Sequence, residues 1–245
     1  MTVTEDRVLG GAVRLRQARD GYRAGLDAAL LAAACDAGQG QRVLEVGCGV
    51  GAALLAAASR RPRATFTGLE RDEAACVLAR ENISLNQLGE RVSAVAWDVA
   101  APFRGLGLAP FDLAMANPPF FDDAARLRAP APAKRSAWMA DDGLGAWIAF
   151  MIAAARQGGA VVLVHRADRL SDILAALASK AGSIQIRSVH PFADQPAKRV
   201  LVRAVKSGKA PLRLLPPLIL HQHGGAKHTG EVESILRGEA DLSWL

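Results

Sequence analysis

Cysteine is scarce in this chain. Its 245 residues hold three (Cys35, Cys48 and Cys76), with no CxxC pair among them. An odd, sparse set argues against a disulfide scaffold and against a structural zinc site. Aromatic residues make up only 5% of the chain, so the rings available to stack on a planar ligand reduce to Tyr22, Phe120, Phe121, Trp138 and Phe192. Long apolar runs are missing too. The longest uncharged windows, Val46–Ser59 and Gly143–Ala155, fall short of the roughly 18 to 20 residues that a membrane span needs, and glycines break the first. Met1–Arg16 mixes acids and bases without an apolar centre, so no secretory signal is expected. These absences leave a soluble, cytoplasmic protein as the expectation.

Acids are outnumbered, 24 Asp and Glu against 30 Lys and Arg, for a net charge of +6. Between positions 180 and 213 eight cations (Lys180, Arg187, Lys198, Arg199, Arg203, Lys206, Lys209 and Arg213) face Asp194 alone, a local charge of +7. A charge run is ordinarily a solvated face, but this one also marks where a polyanion would bind. Hydrophobic residues reach 51%, enough for a large core and too many for a disordered chain.

Strand and helix patterns alternate along most of the chain. Leu9–Arg23 reads as a short strand or hairpin, and Asp27 as the N-cap of a helix over Ala28–Cys35. Strands are expected at Arg42–Val46, Ala64–Leu69, Val92–Trp97, Phe111–Ala116 and Ala160–His165. Helices are expected at Ala52–Ser59, Asp72–Leu85, Gly145–Arg156 and Leu170–Lys180, and a terminal strand pair at Ile184–Val189 and Val200–Val205. Such alternation predicts an α/β fold with a mainly parallel sheet and helices on both faces. Asp122–Asp142, with Pro130 and Pro132, reads as a long functional loop.

Glu45-Val46-Gly47-Cys48-Gly49-Val50-Gly51 follows a strand and opens a helix. Glycines there allow a tight turn close to a ligand, and the helix start offers unpaired N–H groups. The spacing differs from the dinucleotide fingerprint GxGxxG, and no lysine of a phosphate-binding loop follows. Glu45 suits a cationic ligand better than a pyrophosphate. Glu70 and Asp98 end the next two strands at the same carboxyl edge, where ligands of open α/β sheets bind and where an acid can accept ribose hydroxyls. Each acid alone could be a cap or a solvated turn; three at successive strand ends beside a glycine turn point to a cofactor site.

A further strand ends in Asn117-Pro118-Pro119-Phe120. Two prolines remove backbone donors and stiffen the turn. The Asn117 side-chain oxygen and the Pro118 carbonyl can then both accept from one planar amino group, and Phe120 offers a face for a flipped base.

Together these residues resemble the class I S-adenosylmethionine-dependent methyltransferases, and the tetrapeptide resembles the (N/D)PP(F/Y) motif of the amino-methyltransferases. Asp20-Gly21-Tyr22-Arg23-Ala24-Gly25-Leu26-Asp27-Ala28, His190-Pro191, Arg199-Val200-Leu201-Val202 and Pro216-Pro217-Leu218 resemble the bacterial family that methylates N6 of adenine 37 in valine tRNA. Phe120 stands where tyrosine is common in that family, and Leu26 where threonine often precedes the aspartate. The resemblance implies a Rossmann-like class I methyltransferase fold, its mainly parallel seven-stranded sheet closing with a C-terminal antiparallel strand pair. It implies S-adenosylmethionine as cofactor, held by Asp27, Glu45, Gly47, Gly49, Gly51, Glu70, Arg71, Asp98, Val99 and Asn117. Glu70 would hold the ribose and Asp98 the adenine amino group, while Asn117, Pro118, Pro119 and Phe120 would orient the substrate amine. The expected layout is an N-terminal extension over 1–36 and a methyltransferase domain over 37–245, with a substrate loop at 121–142 and RNA contacts from Lys134, Arg135, Lys198, Arg199 and neighbours. No membrane partner is expected, and the protein would be a monomer or homodimer.

Adenine N6 in RNA, most simply tRNA, is the expected target. Guanine N2, glutamine N5 of a protein and a small-molecule amine present the same kind of nitrogen. A nicotinamide dehydrogenase fits less well, and an RNA-binding module with a vestigial pocket is the non-enzyme alternative. No Pro-Cys pair supplies a nucleophile for a cysteine adduct, and Cys48 reads as a space-filling thiol. No metal site is expected: His221, His223 and His228 read as a solvated loop rather than ligands. Trp147 reads as a cover for apolar surface.

Overall fold

The computed structural model describes residues 3–19, 25–119, 143–224 and 226–245. The chain opens with a hairpin of β1 (Val3–Val8) and β2 (Val13–Ala18), followed by α1 (Leu26–Ala34). Alternation then sets in: β3 (Arg42–Val46), α2 (Ala52–Arg60), β4 (Thr65–Glu70), α3 (Glu73–Leu85), β5 (Val92–Ala96) and β6 (Phe111–Ala116). After these come α4 (Leu144–Ala154), β7 (Ala155–Arg166), α5 (Leu170–Leu177), β8 (Ala181–His190), β9 (Arg199–Lys206), β10 (Arg213–Ile219) and α6 (Gly230–Arg237). No helix among the described residues is long and apolar enough to cross a membrane.

The main sheet runs β10-β8-β9-β7-β6-β3-β4-β5. Strands β3 to β7 are mutually parallel, and β9 lies antiparallel between β7 and β8, as the pattern predicts. The sheet has eight strands rather than the seven expected. The extra one, β10, was not expected, and it carries Pro216 and Pro217, which cannot donate to a ladder. It survives as an edge strand, parallel to β8, whose register shifts between Leu215 and Leu218. The hairpin also starts earlier than expected, at Val3. Asp27 is not an N-cap: Gly25 occupies that position, and Asp27 lies in the first turn of α1.

Apolar residues on both faces of the central strands bury the sheet from two sides. Val43, Met115, Val162 and Leu201 face a layer built by α1, α2, α3 and α6, while Leu44, Ala114, Val161 and Val202 face α4 and α5. The C-terminus straps the first layer: Trp244 Nε1 donates to the Ala34 carbonyl (2.8 Å) and the Leu242 N–H to that of Ala33 (3.0 Å).

Two asparagines one turn apart, Asn82 in α3 and Asn86 at its C-cap, attach the hairpin. Asn82, fully buried, accepts the Arg16 N–H (2.8 Å) and donates to the Arg16 and Val50 carbonyls (2.8 and 2.9 Å). Asn86 treats Arg14 alike, accepting its N–H (2.9 Å) and donating to its carbonyl (2.7 Å). The side-chain amides thus replace a neighbouring strand along β2, and Asn82 also ties the glycine turn to α3. Asn82→Ala leaves three backbone groups unmatched and is expected to destabilise the fold by about 2–4 kcal/mol, read from urea unfolding midpoints.

Candidate active site

Parallel register brings the strand ends together. Ala116 is paired with Val46, Val46 with Leu69, and Glu70 with Ala96. Asn117 therefore emerges beside Gly47 at the carboxyl edge, with Glu70 and Asp98 one and two strands further along. The glycine turn, Glu70, Arg71, Asp98, Val99 and Asn117-Pro118-Pro119 all stand at this edge, whereas Asp27 lies two strands from β6, at the start of β9; Phe120, the loop 121–142 and its Lys134, Arg135 and Trp138, and Asp20–Ala24 lie outside the described residues.

The turn after β3 needs its glycines for different reasons. Gly47, Gly49 and Gly51 all have φ in the left-handed region, at +69°, +55° and +91°. A Cβ on Gly47 would sit 2.2 Å from the Trp147 ring, so this position is closed by packing. A Cβ on Gly49 would meet nothing within 4 Å, which leaves an open cradle beside the start of α2. Cys48 fills the space over Gly68, whose Cβ would fall 2.6 Å from its sulfur, and burial pushes its thiol well up. That matches a packing role and not a nucleophilic one.

Glu70 clamps the turn. Its Oε2 accepts the Gly49 N–H (2.9 Å) and its Oε1 the Asp72 N–H (2.9 Å), so one carboxylate ties the glycine turn to the start of α3. Glu70 is half-exposed, and each oxygen keeps a lone pair able to accept a hydroxyl. Asp98, also half-exposed, uses Oδ1 to accept the Ala100 N–H (2.9 Å), with Val99 partly buried beside it. Arg71 is exposed at the same edge. Open cradle and carboxylates fit an adenosyl ligand of the kind the resemblance implies.

Two expected ligand residues do something else here. Glu45 is 3% exposed beneath the turn, and burial together with the Glu70 charge pushes its carboxyl well above the usual carboxylate range. It lies under the loop, where its Oε2 is buried without a hydrogen-bond partner among the described residues. Asp27 accepts Arg199 Nε at 3.0 Å, so its carboxylate already holds a guanidinium.

Asn117 is half-buried, Pro118 buried and Pro119 exposed, at the mouth of β6. Trp147, in the first turn of α4, covers apolar surface as expected, and its ring also closes on Gly47, a contact with no sign in the sequence.

The basic stretch does not form one face. Because β9 runs antiparallel, Arg199 lies at the carboxyl edge and Lys206 at the opposite one. Lys180, Lys209 and Arg213 precede the parallel strands β8 and β10, so they too lie away from Asn117. Several cations are spent inside the fold. Arg187 donates to the Pro216 and Ser243 carbonyls, Arg203 pairs with Asp36, and Lys206 donates to the Ala155 carbonyl. Lys198 stays exposed at the carboxyl edge.

Strand order and edge geometry together make this the class I methyltransferase fold. A predicted O-methyltransferase from Agrobacterium tumefaciens shares it with TM-score 0.73 and 28% identity, over 88% of this chain and 98% of that one. Residues 23–131 match the family model of the methyltransferase small domain. A tRNA1(Val) (adenine(37)-N6)-methyltransferase from a Flavobacteriaceae bacterium is 32% identical over 109 residues, 44% of this chain and 46% of its own length. A release factor glutamine methyltransferase from Moorella thermoacetica is 32% identical over 156 residues, 61% of this chain and 54% of its own. The chain spans about half the length of these curated relatives.

Two outcomes follow from this geometry. Gly47→Ala is expected to destabilise the fold by roughly 2–4 kcal/mol through overpacking and backbone strain, whereas Gly49→Ala costs about 1 kcal/mol from strain alone, both read in urea unfolding. Glu45 binds its proton more tightly folded than unfolded, so its contribution is full below the unfolded value near 4.5 and is lost as pH rises. Glu45→Gln is therefore expected to raise the melting temperature at pH 8, with the gain shrinking towards pH 5 in thermal melts.

Proposed function

We propose that this chain transfers the methyl group of S-adenosylmethionine to the N6 amino group of an adenine in RNA, with tRNA as the substrate. The observation that carries this reading is the register of β3 and β6, which sets Asn117-Pro118 against the glycine turn. S-adenosylmethionine, when bound, would supply a methyl group activated on its sulfonium, the breaking S–CH3 bond leaving neutral S-adenosylhomocysteine. Gly49 leaves room for it, Glu70 would accept the ribose hydroxyls and Asp98 the adenine amine. The Asn117 side-chain oxygen and the Pro118 carbonyl accept both hydrogens of the target amine. They hold its nitrogen in line for transfer and stabilise the positive charge it gains. The proton leaves to solvent afterwards. Phe120 would cover the flipped base. Support for an adenine target comes from the Flavobacteriaceae relative, named as a tRNA adenine-N6 methyltransferase.

The test is transfer of labelled methyl to bulk tRNA. Wild-type protein is expected to label it, and Asn117→Ala to lower kcat/KM by about 10²-fold or more, with S-adenosylmethionine affinity largely retained in calorimetry. No label in RNA with a cofactor-binding protein would overturn the RNA reading. Label in a glutamine-bearing protein instead would favour the second reading, glutamine N5 transfer, which the Moorella relative supports.

A further inference from the structure

At the far end of the carboxyl edge, several flat rings collect where no cofactor residue lies. Strands β8 and β10 run in the same direction as β6, so their ends open on the edge that carries Asn117. They lie three and four places along the sheet, about 14–19 Å away at the usual strand spacing of about 4.8 Å. Backbone pairing continues past the strands: the Leu220 N–H donates to the His190 carbonyl (2.8 Å) and the His221 N–H to that of Pro191 (2.9 Å). The segments 191–198 and 220–229 are thereby held against each other.

Phe192 and His223 stack between these segments with ring centres 4.3 Å apart and planes within 9°. His221 lies 5.4 Å from Phe192 on a tilted plane, and His228 stacks on His221 at 5.1 Å. The column ends in solvent, with the His223 side chain 68% exposed and its Nε2 3.3 Å from Asp194 Oδ1, which holds the ring's orientation. Lys198 and Lys227, on the same two segments, are exposed, and neither has an ion pair among the described residues.

We propose that Phe192, His221 and His223 form a stacking platform for unpaired bases of single-stranded RNA next to the target nucleotide, with Lys198 and Lys227 on its phosphates. The proposal rests on the reading of the chain as an RNA methyltransferase. An open ring face flanked by cations matches a strand that offers bases and phosphates at once. A duplex hides its base faces, and an acidic peptide has none. A distance of three to four strands from Asn117 suits a short run of nucleotides. The platform therefore selects for a target in a loop or an end.

Fluorescence anisotropy with a labelled single-stranded dodecaribonucleotide and its blunt duplex tests this on the full chain. His223→Ala is expected to weaken single-strand binding about 5-fold or more, and His223→Phe to restore it, since stacking and not charge is at work. Duplex binding is expected to be equal in all three proteins, and S-adenosylmethionine affinity unchanged. Lys227→Ala is expected to flatten the salt dependence of single-strand binding. If the wild type binds and methylates RNA while His223→Ala binds the single strand as well as wild type, the platform is overturned and the proposed function stands. Equal loss on single strand and duplex also overturns it, because the surface is then merely electrostatic. A wild type that neither binds nor methylates RNA overturns both, and impaired methylation of a protein substrate alone assigns the surface to a protein.

Discussion

A single carboxylate governs the shape of the candidate site. Glu70 accepts one amide from the glycine turn and another from the start of α3. A charged acceptor shared by two backbone donors is strong, because charge-assisted bonds are about twice as strong as neutral ones. It also holds the Gly49 amide in place, so the cradle outside Gly49 is shaped before any ligand arrives. The parallel register of β3, β4, β5 and β6 then sets Asn117 level with Glu70, with Asp98 two residues beyond that level on the next strand. Remove that register, and the acids and the amide acceptor would be scattered over separate loops.

Around this clamp the edge divides its labour by strand. The β3–β4–β5 side presents carboxylates that remain half-exposed and suited to hydroxyls and amines. The mouth of β6 presents carbonyl-type acceptors stiffened by proline. The β9–β8–β10 side presents cations and rings. Beneath the edge, charge is handled differently: Glu45 is desolvated, which pushes its carboxyl well above the usual carboxylate range, and Asp27 is matched by Arg199. A charge in such a place must be paired or lost, because low-dielectric burial penalises the ionised form.

Much of this was legible in the amino-acid order, and the reasons are local. Glycine at left-handed φ, proline without a donor and an acid at a strand end act through their own backbone, so Gly47, Gly49, Gly51, Asn117-Pro118-Pro119, Glu70 and Asp98 declare themselves. Other features were not legible because they depend on partners far along the chain. Asn82 and Asn86 look like ordinary helix polar residues until β2 lies beside them. Pro216 and Pro217 argue against a strand until β10 proves to be an edge with a shifted register. Trp147 becomes part of the glycine turn only when α4 folds back over β3.

Charge shows the division most plainly. Sequence alone determined that eight cations gather between positions 180 and 213, and that the strand ends carry acids, glycines and an Asn-Pro-Pro turn. Only the tertiary structure decided where the cations go. An antiparallel strand reverses direction, so neighbours in sequence part to opposite edges of the sheet, and buried acceptors such as the Pro216 and Ser243 carbonyls claim some of them. What remains at the carboxyl edge is Lys198 beside a stack of rings, set there by two parallel strands whose ends no local pattern could have aligned.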